Sequence, residues 1–174
     1  MSKVLLDACI LFPSVTRELL MGAAQQGLFE PLWSARILGE WRHTAQKHGV
    51  GPRAEIEIAL LRAAWPKAEM PSDAAQEAGL VLPDVDDRHV LSAAITGGAD
   101  ELLTRNLKDF PPRVLAGHGI VRREPDGFLL EMVEDLHEVV AEVHQQAQEM
   151  AGEAMTVRAL LKKARLPRLG KYFQ

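Results

Sequence analysis

Short apolar runs alternate with longer segments of helical periodicity through the first 124 residues of the chain. The runs have the length of strands, and the segments between them have the length of helices. Strands that alternate with helices in this way predict βαβ units and therefore a parallel sheet. The expected strands are 3–6, 28–33, 101–104 and a weaker 120–121, with a brief extended segment at 79–82. The expected helices are 13–26, 35–47, 52–64, 72–78, 86–96 and a short one that opens at Pro111 and Pro112.

The pattern changes to helix alone after a turn-rich stretch at 124–127. Apolar residues then recur with helical spacing, and no further strand is expected. The helices predicted in this part are 129–150 and 156–164. We therefore expect an α/β unit that carries a helical extension at its C-terminal end. The two units are 1–124 and 125–174.

Charge and cysteine content limit the classes of function. The net charge is −4, with six acids and no base between 130 and 150, and six bases and no acid between 158 and 174. This net charge is not typical of a nucleic-acid binder. An acidic site would also produce it, and a bound divalent metal would offset the negative charge of that site. Cys9 is the single cysteine, which excludes an internal disulfide, and no apolar run reaches membrane length. We expect a cytoplasmic protein without a membrane partner.

Two isolated acids mark the first candidate positions for a site. In open parallel sheets, ligands bind outside the carboxyl ends of the strands, so polar residues that directly follow strands come first. Asp7 follows the first strand between apolar neighbours. It either caps the next turn or is a buried carboxylate, which needs a cation to offset its burial. Glu40 shares a helix face with Ile37 and Trp41, so it points either toward the sheet or to solvent at the edge of that face.

Two further segments contain groups of oxygen donors. The acids of the first segment are Asp84, Asp86 and Asp87. Three acids exceed what capping of the following helix requires; Asp87 begins the buried face of that helix, yet spacing alone does not separate the three. Asn106 and Asp109 follow the 101–104 strand, either in an ordinary turn or as ligands. Together these residues predict a carboxylate cage for Mg²⁺ or Mn²⁺, because hard cations take oxygen ligands.

Other chemistries lack their sequence motifs. The chain contains no GxxxxGK[ST], no GxGxxG, no CxxC and no HExxH. Cys9 is expected to be a small core residue rather than a nucleophile. An oxygen-ligated divalent cation is therefore the chemistry that the residues favour.

Three motifs in the expected order resemble those of a known family. They are Leu5-Leu6-Asp7, Asp87 followed by Val90-Leu-Ser-Ala-Ala94, and the segment GADELLTRNLKDFP that ends at Pro111. These motifs are similar to PIN-domain ribonucleases of the VapC-toxin kind, over about residues 1–124. The resemblance implies a three-layer α/β/α sandwich with a central parallel sheet, to which C-terminal helices are added. It also implies hydrolysis of RNA phosphodiester bonds that depends on Mg²⁺ or Mn²⁺.

The resemblance assigns roles to individual residues. It implies that Asp7, Glu40 and Asp87 are the catalytic acids and metal ligands. Asn106 stands where the family has a fourth acid in a T-x-D pattern, and its uncharged amide implies a weaker metal site. The family's threonine near the metal centre corresponds to Thr104. Further candidates are Asp84, Asp86 and Asp109 as ligands or as groups that hold the ligands, and Arg88 and Arg105 for binding the RNA backbone.

The same resemblance implies partners. A toxin of this kind pairs with a small antitoxin that covers the acidic pocket, and it can form a homodimer. The C-terminal extension would take part in RNA binding, antitoxin binding or dimer formation; its basic end suits RNA and its acidic helix suits a basic partner. Two alternatives stay open, namely a PIN-fold binding module without activity, which Asn106 suggests, and a housekeeping RNA-processing nuclease. Metal affinity separates the binding module from both nucleases, and toxicity on expression separates the toxin from the housekeeping enzyme.

Overall fold

One parallel sheet of five strands organises the protein, and its computed structural model describes residues 1–173. The strands are β1 (Lys3–Leu6), β2 (Glu30–Ser34), β3 (Glu69–Met70), β4 (Glu101–Leu103) and β5 (Val121–Arg123). Their spatial order is β3-β2-β1-β4-β5, and every neighbouring pair is parallel. The parallel sheet that the alternating pattern predicts is confirmed.

Helices connect the strands and continue beyond the sheet. In the α/β part they are α1 (Ala8–Leu11), α2 (Ser14–Gln25), α3 (Ala35–Lys47), α4 (Gly51–Ala64), α5 (Ala74–Ala78), α6 (Arg88–Gly97) and α7 (Pro112–Ala116). After β5 they are α8 (Pro125–Glu131), α9 (His137–Ala151), α10 (Val157–Lys163) and α11 (Pro167–Tyr172). Single 3₁₀ turns lie at Val85–Asp87, Leu107–Asp109 and Val133–Asp135. With the sheet in the middle, the layers form the expected three-layer α/β/α sandwich.

The centre of the sheet contains a point where the strand order reverses. The chain passes from β1 outward through β2 to β3, and then returns to the other side of β1 with β4 and β5. Leu5 pairs with Leu32 on one side and with Leu102 on the other. Because connections leave β1 and β4 in opposite directions, their carboxyl ends bound a crevice, which is where open α/β sheets bind ligands.

The central strands are buried on both faces, as a continuous apolar run predicts. Val4, Leu5 and Leu6 are fully buried, and so are Leu102 and Leu103 of the neighbouring strand. This burial makes the central strands a rigid support. Side chains that emerge where the strands end are therefore held in fixed positions.

One edge of the sheet differs from the prediction. The edge strand is Glu69–Met70, which pairs with Trp33 and Ser34, whereas 79–82 lies outside the sheet. Leu80 and Leu82 are buried while Val81 is 77% exposed. This alternation is that of a strand, but it arises here from a loop that packs onto the core. The periodicity thus indicated the burial of Leu80 and Leu82 correctly, whereas the edge strand Glu69–Met70 was not predicted.

The expected helix at 129–150 is interrupted. The segment consists of α8, the 3₁₀ turn Val133–Asp135 and then α9, and Val133 and Leu136 are buried at the break. The short helices α1 and α11 were not predicted from the sequence. No helix among residues 1–173 is long and apolar enough to cross a membrane.

The C-terminal helices pack directly against the α/β part. A Cβ atom on Gly22 of α2 would lie 2.4 Å from Val139 Cγ1 of α9, so the missing side chain of this glycine permits the close helix contact. Asp126 of α8 accepts hydrogen bonds from the backbone N–H groups of Arg168 (2.8 Å) and Leu169 (2.9 Å) at the start of α11. Buried side chains of these helices continue the core of the sheet.

Candidate active site

A cavity of about 940 Å³ opens where β1 and β4 end. Residues from several elements form its wall. The expected site residues that line it are Asp7, Glu40, Asp87, Arg105 and Asn106. A further part of the wall comes from the end of α10, with Lys163, Ala164 and Arg165. The fold therefore brings three carboxylates from three elements to one concave surface, together with basic residues of the C-terminal part.

Asp7 is buried at the end of β1 and uses both carboxylate oxygens. Its Oδ1 accepts a 2.7 Å hydrogen bond from Ala8 N, so it caps α1, and its Oδ2 accepts a 2.8 Å hydrogen bond from Thr104 Oγ1. Its backbone N–H donates to Leu103 O, which extends the pairing of β1 with β4. Burial raises the pKa of Asp7, and the hydrogen bond from Thr104 partly opposes this rise. Capping and burial, the two interpretations of Asp7 from the sequence, are thus both correct.

Cys9 lies beside this carboxylate. Its thiol is within 3.5 Å of Asp7 Oδ2 and 3.6 Å of Thr104 Oγ1. Burial, and then the negative charge of Asp7, raise the pKa of Cys9 to about 11. Cys9 is therefore a neutral thiol at physiological pH, which agrees with the expectation that it is not a nucleophile.

Asp87 stands at the N-terminus of α6 without capping it. No side-chain capping hydrogen bond forms at this position, whereas Asp84 accepts one from Asp86 N at 2.9 Å. Burial raises the pKa of Asp87 to about 6, and the negative charges of Asp7, Asp84, Asp109 and Glu40 add to this rise. Capping thus explains Asp84 but leaves Asp87 free to face the other acids.

The acids form two groups that share Asp87. Ligand atoms of Asp84, Asp87 and Asp109 all lie within 4.8 Å of one another, a spacing at which a cation could contact all three. Asp7 and Glu40 share the cavity with Asp87. Asp86 is exposed and belongs to neither group. Of the acids that the sequence left unresolved, the structure thus separates Asp86 from Asp84 and Asp87.

Glu40 reaches the cavity from α3 and is held by a histidine. His89 Nε2 of α6 lies 2.5 Å from Glu40 Oε1, and the His89 side chain is buried while the Glu40 side chain is 44% exposed. The Nδ1 atom of His89 has no hydrogen-bond partner among residues 1–173. Glu40 thus points into the cavity at the end of the sheet and is partly exposed to solvent there, so each of its two predicted orientations is partly correct.

Asn106 and Thr104 complete the β4 side of the site. Asn106 Nδ2 donates a 3.4 Å hydrogen bond to Asp87 Oδ2, and Asn106 N donates to Thr104 Oγ1 at 3.0 Å. The Asn106 amide nitrogen thus faces the Asp87 carboxylate. A carboxylate at position 106 would instead repel Asp87. Asn106 carries an amide oxygen and no charge, so it can ligate a cation without adding to the negative charge of the site.

The two arginines occupy different environments. Arg105 lines the cavity, but its guanidinium donates to Thr16 Oγ1 (3.1 Å), Ala164 O (3.1 Å) and Arg165 O (3.3 Å). Burial, and then the positive charge of Arg165, lower the pKa of Arg105. Arg88 is half-buried and does not line the cavity, and its Nε has no partner within residues 1–173. The binding of RNA by either residue stays a prediction.

Two parts of the site were not found from the sequence. His89 lies within the acidic motif, but a single histidine without a spacing pattern gave no reason to pair it with Glu40, which is 49 residues away. Lys163 and Arg165 belong to the basic end, yet their position at the cavity depends on how α10 packs. Both relations are tertiary, so no local pattern could have indicated them.

Comparisons with known proteins support the fold. A family model described as PIN domain matches residues 2–108, which is more than half of the chain. A protein of Mycobacterium tuberculosis (strain ATCC 25618 / H37Rv) named "Putative ribonuclease VapC50" is 46% identical over 52 residues. That match covers 30% of this chain and 30% of the relative, so the chain spans under a third of the relative's length. No solved structure matches significantly.

Proposed function

The chain belongs to the PIN-domain family, and from this premise we propose that it is a metal-dependent endoribonuclease, the toxin of a toxin–antitoxin pair. One observation carries the proposal. Asp7, Glu40 and Asp87 come from three separate elements and converge on one cavity at the reversal point of the sheet. Burial, and then the negative charges of the neighbouring acids, raise the pKa of Asp87 to about 6, and a bound divalent cation would offset those negative charges.

The donor set fits a hard divalent cation. The residues that would hold Mg²⁺ or Mn²⁺ are Asp7, Glu40, Asp87 and Asn106, with Asp84 and Asp109 beside Asp87. All of these side chains offer oxygen atoms, and sulfur and imidazole ligands are not needed. When bound, the ion lowers the pKa of a coordinated water and stabilises negative charge on the phosphate.

The chain's own residues orient these ligands. Thr104 fixes the direction of Asp7 Oδ2, and His89 fixes that of Glu40 Oε1. Such hydrogen bonds to ligating groups commonly account for about 10- to 100-fold in metal affinity or activity. Arg105 and Arg88 are the candidates for contact with the RNA backbone on the α/β part. No side chain is required as a general base in this arrangement.

The partners follow from the same proposal. A small antitoxin with a basic side chain would neutralise the acidic cavity, and two copies of the toxin could form a homodimer. We place the nuclease unit at 1–124 and the extension at 125–174, and we assign the protein to the cytoplasm. Asn106 supports the alternative of a binding module without activity, because it reduces the charge available to a second ion.

Cleavage of a structured RNA pool tests the proposed function. Purified full-length protein should cut the RNA with Mg²⁺ or Mn²⁺, stop when EDTA is added, and resume when metal is restored. Growth arrest on expression, relieved by the product of a neighbouring gene, would identify the toxin rather than a housekeeping nuclease. The absence of both divalent binding and cleavage of any RNA in the pool would instead favour the inactive binding module. Divalent binding without cleavage would indicate a narrow RNA target or a copurified inhibitor.

A further inference from the structure

The end of α10 forms part of the wall of the acidic cavity. Lys163, Ala164 and Arg165 line the same cavity as Asp7 and Asp87, although they are far away along the chain. We propose that Lys163 and Arg165 form a phosphate-binding wall that holds the RNA strand beside the carboxylates. This inference rests on the proposed ribonuclease function and adds to it the part of the chain that binds the substrate backbone.

The turn that carries these two cations has a well-defined backbone. Arg165 N donates to Lys162 O (3.0 Å), and Leu166 N donates to Leu161 O (2.8 Å). This pair of bonds is the Schellman motif that ends many helices, and Leu161 and Leu166 are both fully buried beneath it. The turn is therefore held by the core, although Lys163 and Arg165 themselves are exposed.

Arg105 ties this turn to the end of the sheet. Its guanidinium donates to Ala164 O at 3.1 Å and to Arg165 O at 3.3 Å, across 59 and 60 residues of chain. A third bond, to Thr16 Oγ1, fixes the guanidinium from α2. Arg105 directly follows Thr104, whose hydroxyl orients Asp7. The basic turn and the catalytic acids are thus positioned by neighbouring residues of one strand end, and Arg105 is a positioning residue for the turn.

The charges of the turn are free to bind a ligand. Neither Lys163 nor Arg165 forms an ion pair with any acid within the part of the chain that the structure describes. Arg165 also lies close enough to the Arg105 guanidinium for their positive charges to repel each other. A polyanion that passes the acids needs cations for its neighbouring phosphates, and Arg and Lys bind phosphate oxygens through charge-assisted hydrogen bonds.

The backbone of Arg165 gives an independent indication of function. Its φ is +63°, and it is the one non-glycine residue with a positive φ among residues 1–173. Helix ends of this kind usually place glycine here, because a Cβ atom is unfavourable in the left-handed region. Arg165 therefore places a long charged side chain at a position where the backbone favours glycine. Strained residues of this kind concentrate at functional sites.

Three variants separate a role in RNA binding from a role in folding. Arg165→Gly removes the charge and the unfavourable Cβ atom of the left-handed backbone, which offsets the greater freedom of glycine in the unfolded chain, so its melting temperature should stay close to or above that of the wild type. Lys163→Gln removes the second charge. Lys162→Gln is the matched control, because it removes the same charge from the same helix at a residue that does not line the cavity.

Fluorescence anisotropy with a labelled single-stranded RNA, in EDTA so that the RNA stays intact, measures the contacts. We expect Arg165→Gly and Lys163→Gln each to weaken RNA binding about threefold to fivefold at low salt. This is the contribution typical of one exposed ion pair, here between the side chain and a phosphate. Each should also reduce the slope of log affinity against log salt by about 0.7, as for one lost phosphate contact on a single strand. With Mn²⁺ present, KM for cleavage should rise by a similar factor while kcat stays close to the wild-type value.

The outcomes distinguish this inference from the proposed function. If wild-type protein cleaves RNA but both variants retain its KM and salt slope, the phosphate-binding wall is wrong and the ribonuclease stands. The phosphate-binding wall is equally wrong if the variants lose a protein partner while RNA binding is unchanged, since the turn is then a protein interface. If wild-type protein neither binds nor cleaves RNA, the proposed function fails, and the inference fails with it.

Discussion

Thr104 Oγ1 donates a 2.8 Å hydrogen bond to Asp7 Oδ2, which joins the carboxyl end of β4 to that of β1. Both residues are buried, and their backbones are fixed by the sheet, since Asp7 N donates to Leu103 O and Thr104 N donates to Arg123 O. The bond therefore sets the direction of a carboxylate at the reversal point of the strand order. The position of the site follows from the sheet, and its orientation follows from this pair.

Substitution of Thr104 tests the pair directly. In Thr104→Val the side chain keeps its shape but loses the hydroxyl, so Asp7 Oδ2 loses its strongest donor and the pKa of Asp7 rises further. We expect a loss of about 1–3 kcal/mol in the free energy of unfolding, as for a buried polar group without its partner. The acid limb of the pH–rate profile should move to higher pH. Thr104→Ser, which retains the hydroxyl, is the control and should stay near wild type; equal behaviour of both variants would contradict the role of the bond.

His89 is expected to act through Glu40. His89→Leu removes the donor to Glu40 Oε1 from a buried position, so the carboxylate is no longer held toward the cavity. We expect RNA cleavage, or the affinity for Mn²⁺, to fall about 10- to 100-fold. His89→Gln places an amide N–H near the position of Nε2 and should restore part of the lost activity. No rescue by glutamine, with both variants folded, would show that His89 serves packing alone.

Asp87 makes the stability of the metal-free protein depend on pH. Its pKa is raised from 3.8 to about 6, so between these values the folded protein keeps a proton that the unfolded chain releases. Stability is therefore highest below this window and is lost as the pH rises through it. In EDTA, the melting temperature of the wild type should fall more between about pH 5 and about pH 7 than that of Asp87→Asn.

Two further measurements complete this test. Mn²⁺ at neutral pH should raise the melting temperature of the wild type more than that of Asp87→Asn, because binding to the folded state stabilises it. Asp86→Asn removes an exposed acid outside the group and should behave like the wild type. If the wild-type melting temperature in EDTA instead rises between about pH 5 and about pH 7, the raised pKa of Asp87 is refuted.

Asp126 should control the docking of the C-terminal end. Its two oxygens accept the N–H groups of Arg168 and Leu169, so Asp126→Ala leaves the first turn of α11 without its cap. We expect a loss of about 0.5–2 kcal/mol in stability and faster hydrogen exchange in α11. Asp135→Ala, at an exposed acid in the same region, is the control. Exchange in α11 that is equally slow in both variants would mean that other contacts hold the helix.

The sequence is informative where local pattern and final position coincide. Asp7 follows an apolar run that becomes a central strand, so the place of its carboxylate follows from strand order and from the rule about carboxyl ends. Glu40 was assigned to a face shared with Ile37 and Trp41, and both of these residues are buried. In such cases the spacing of the apolar residues correctly predicts which side chains are buried.

Other features depend on contacts that a local pattern does not contain. The alternation at Leu80, Val81 and Leu82 reports burial in a loop rather than pairing with a strand. The contact between His89 and Glu40 requires α3 and α6 to meet. The approach of Arg165 to the cavity requires α10 to pack back toward the sheet. Such relations become visible only when the chain is folded.

The rate of RNA cleavage by Asp7→Asn, beside the wild type and Asp86→Asn, tests the central claim most directly. All three proteins would be assayed with the same RNA and Mn²⁺, after circular dichroism and melting curves establish that each is folded. We expect the wild type and Asp86→Asn to cleave at similar rates and Asp7→Asn to lose measurable activity. Cleavage by folded Asp7→Asn at a rate near that of the wild type would contradict the assignment of this cavity as the active site.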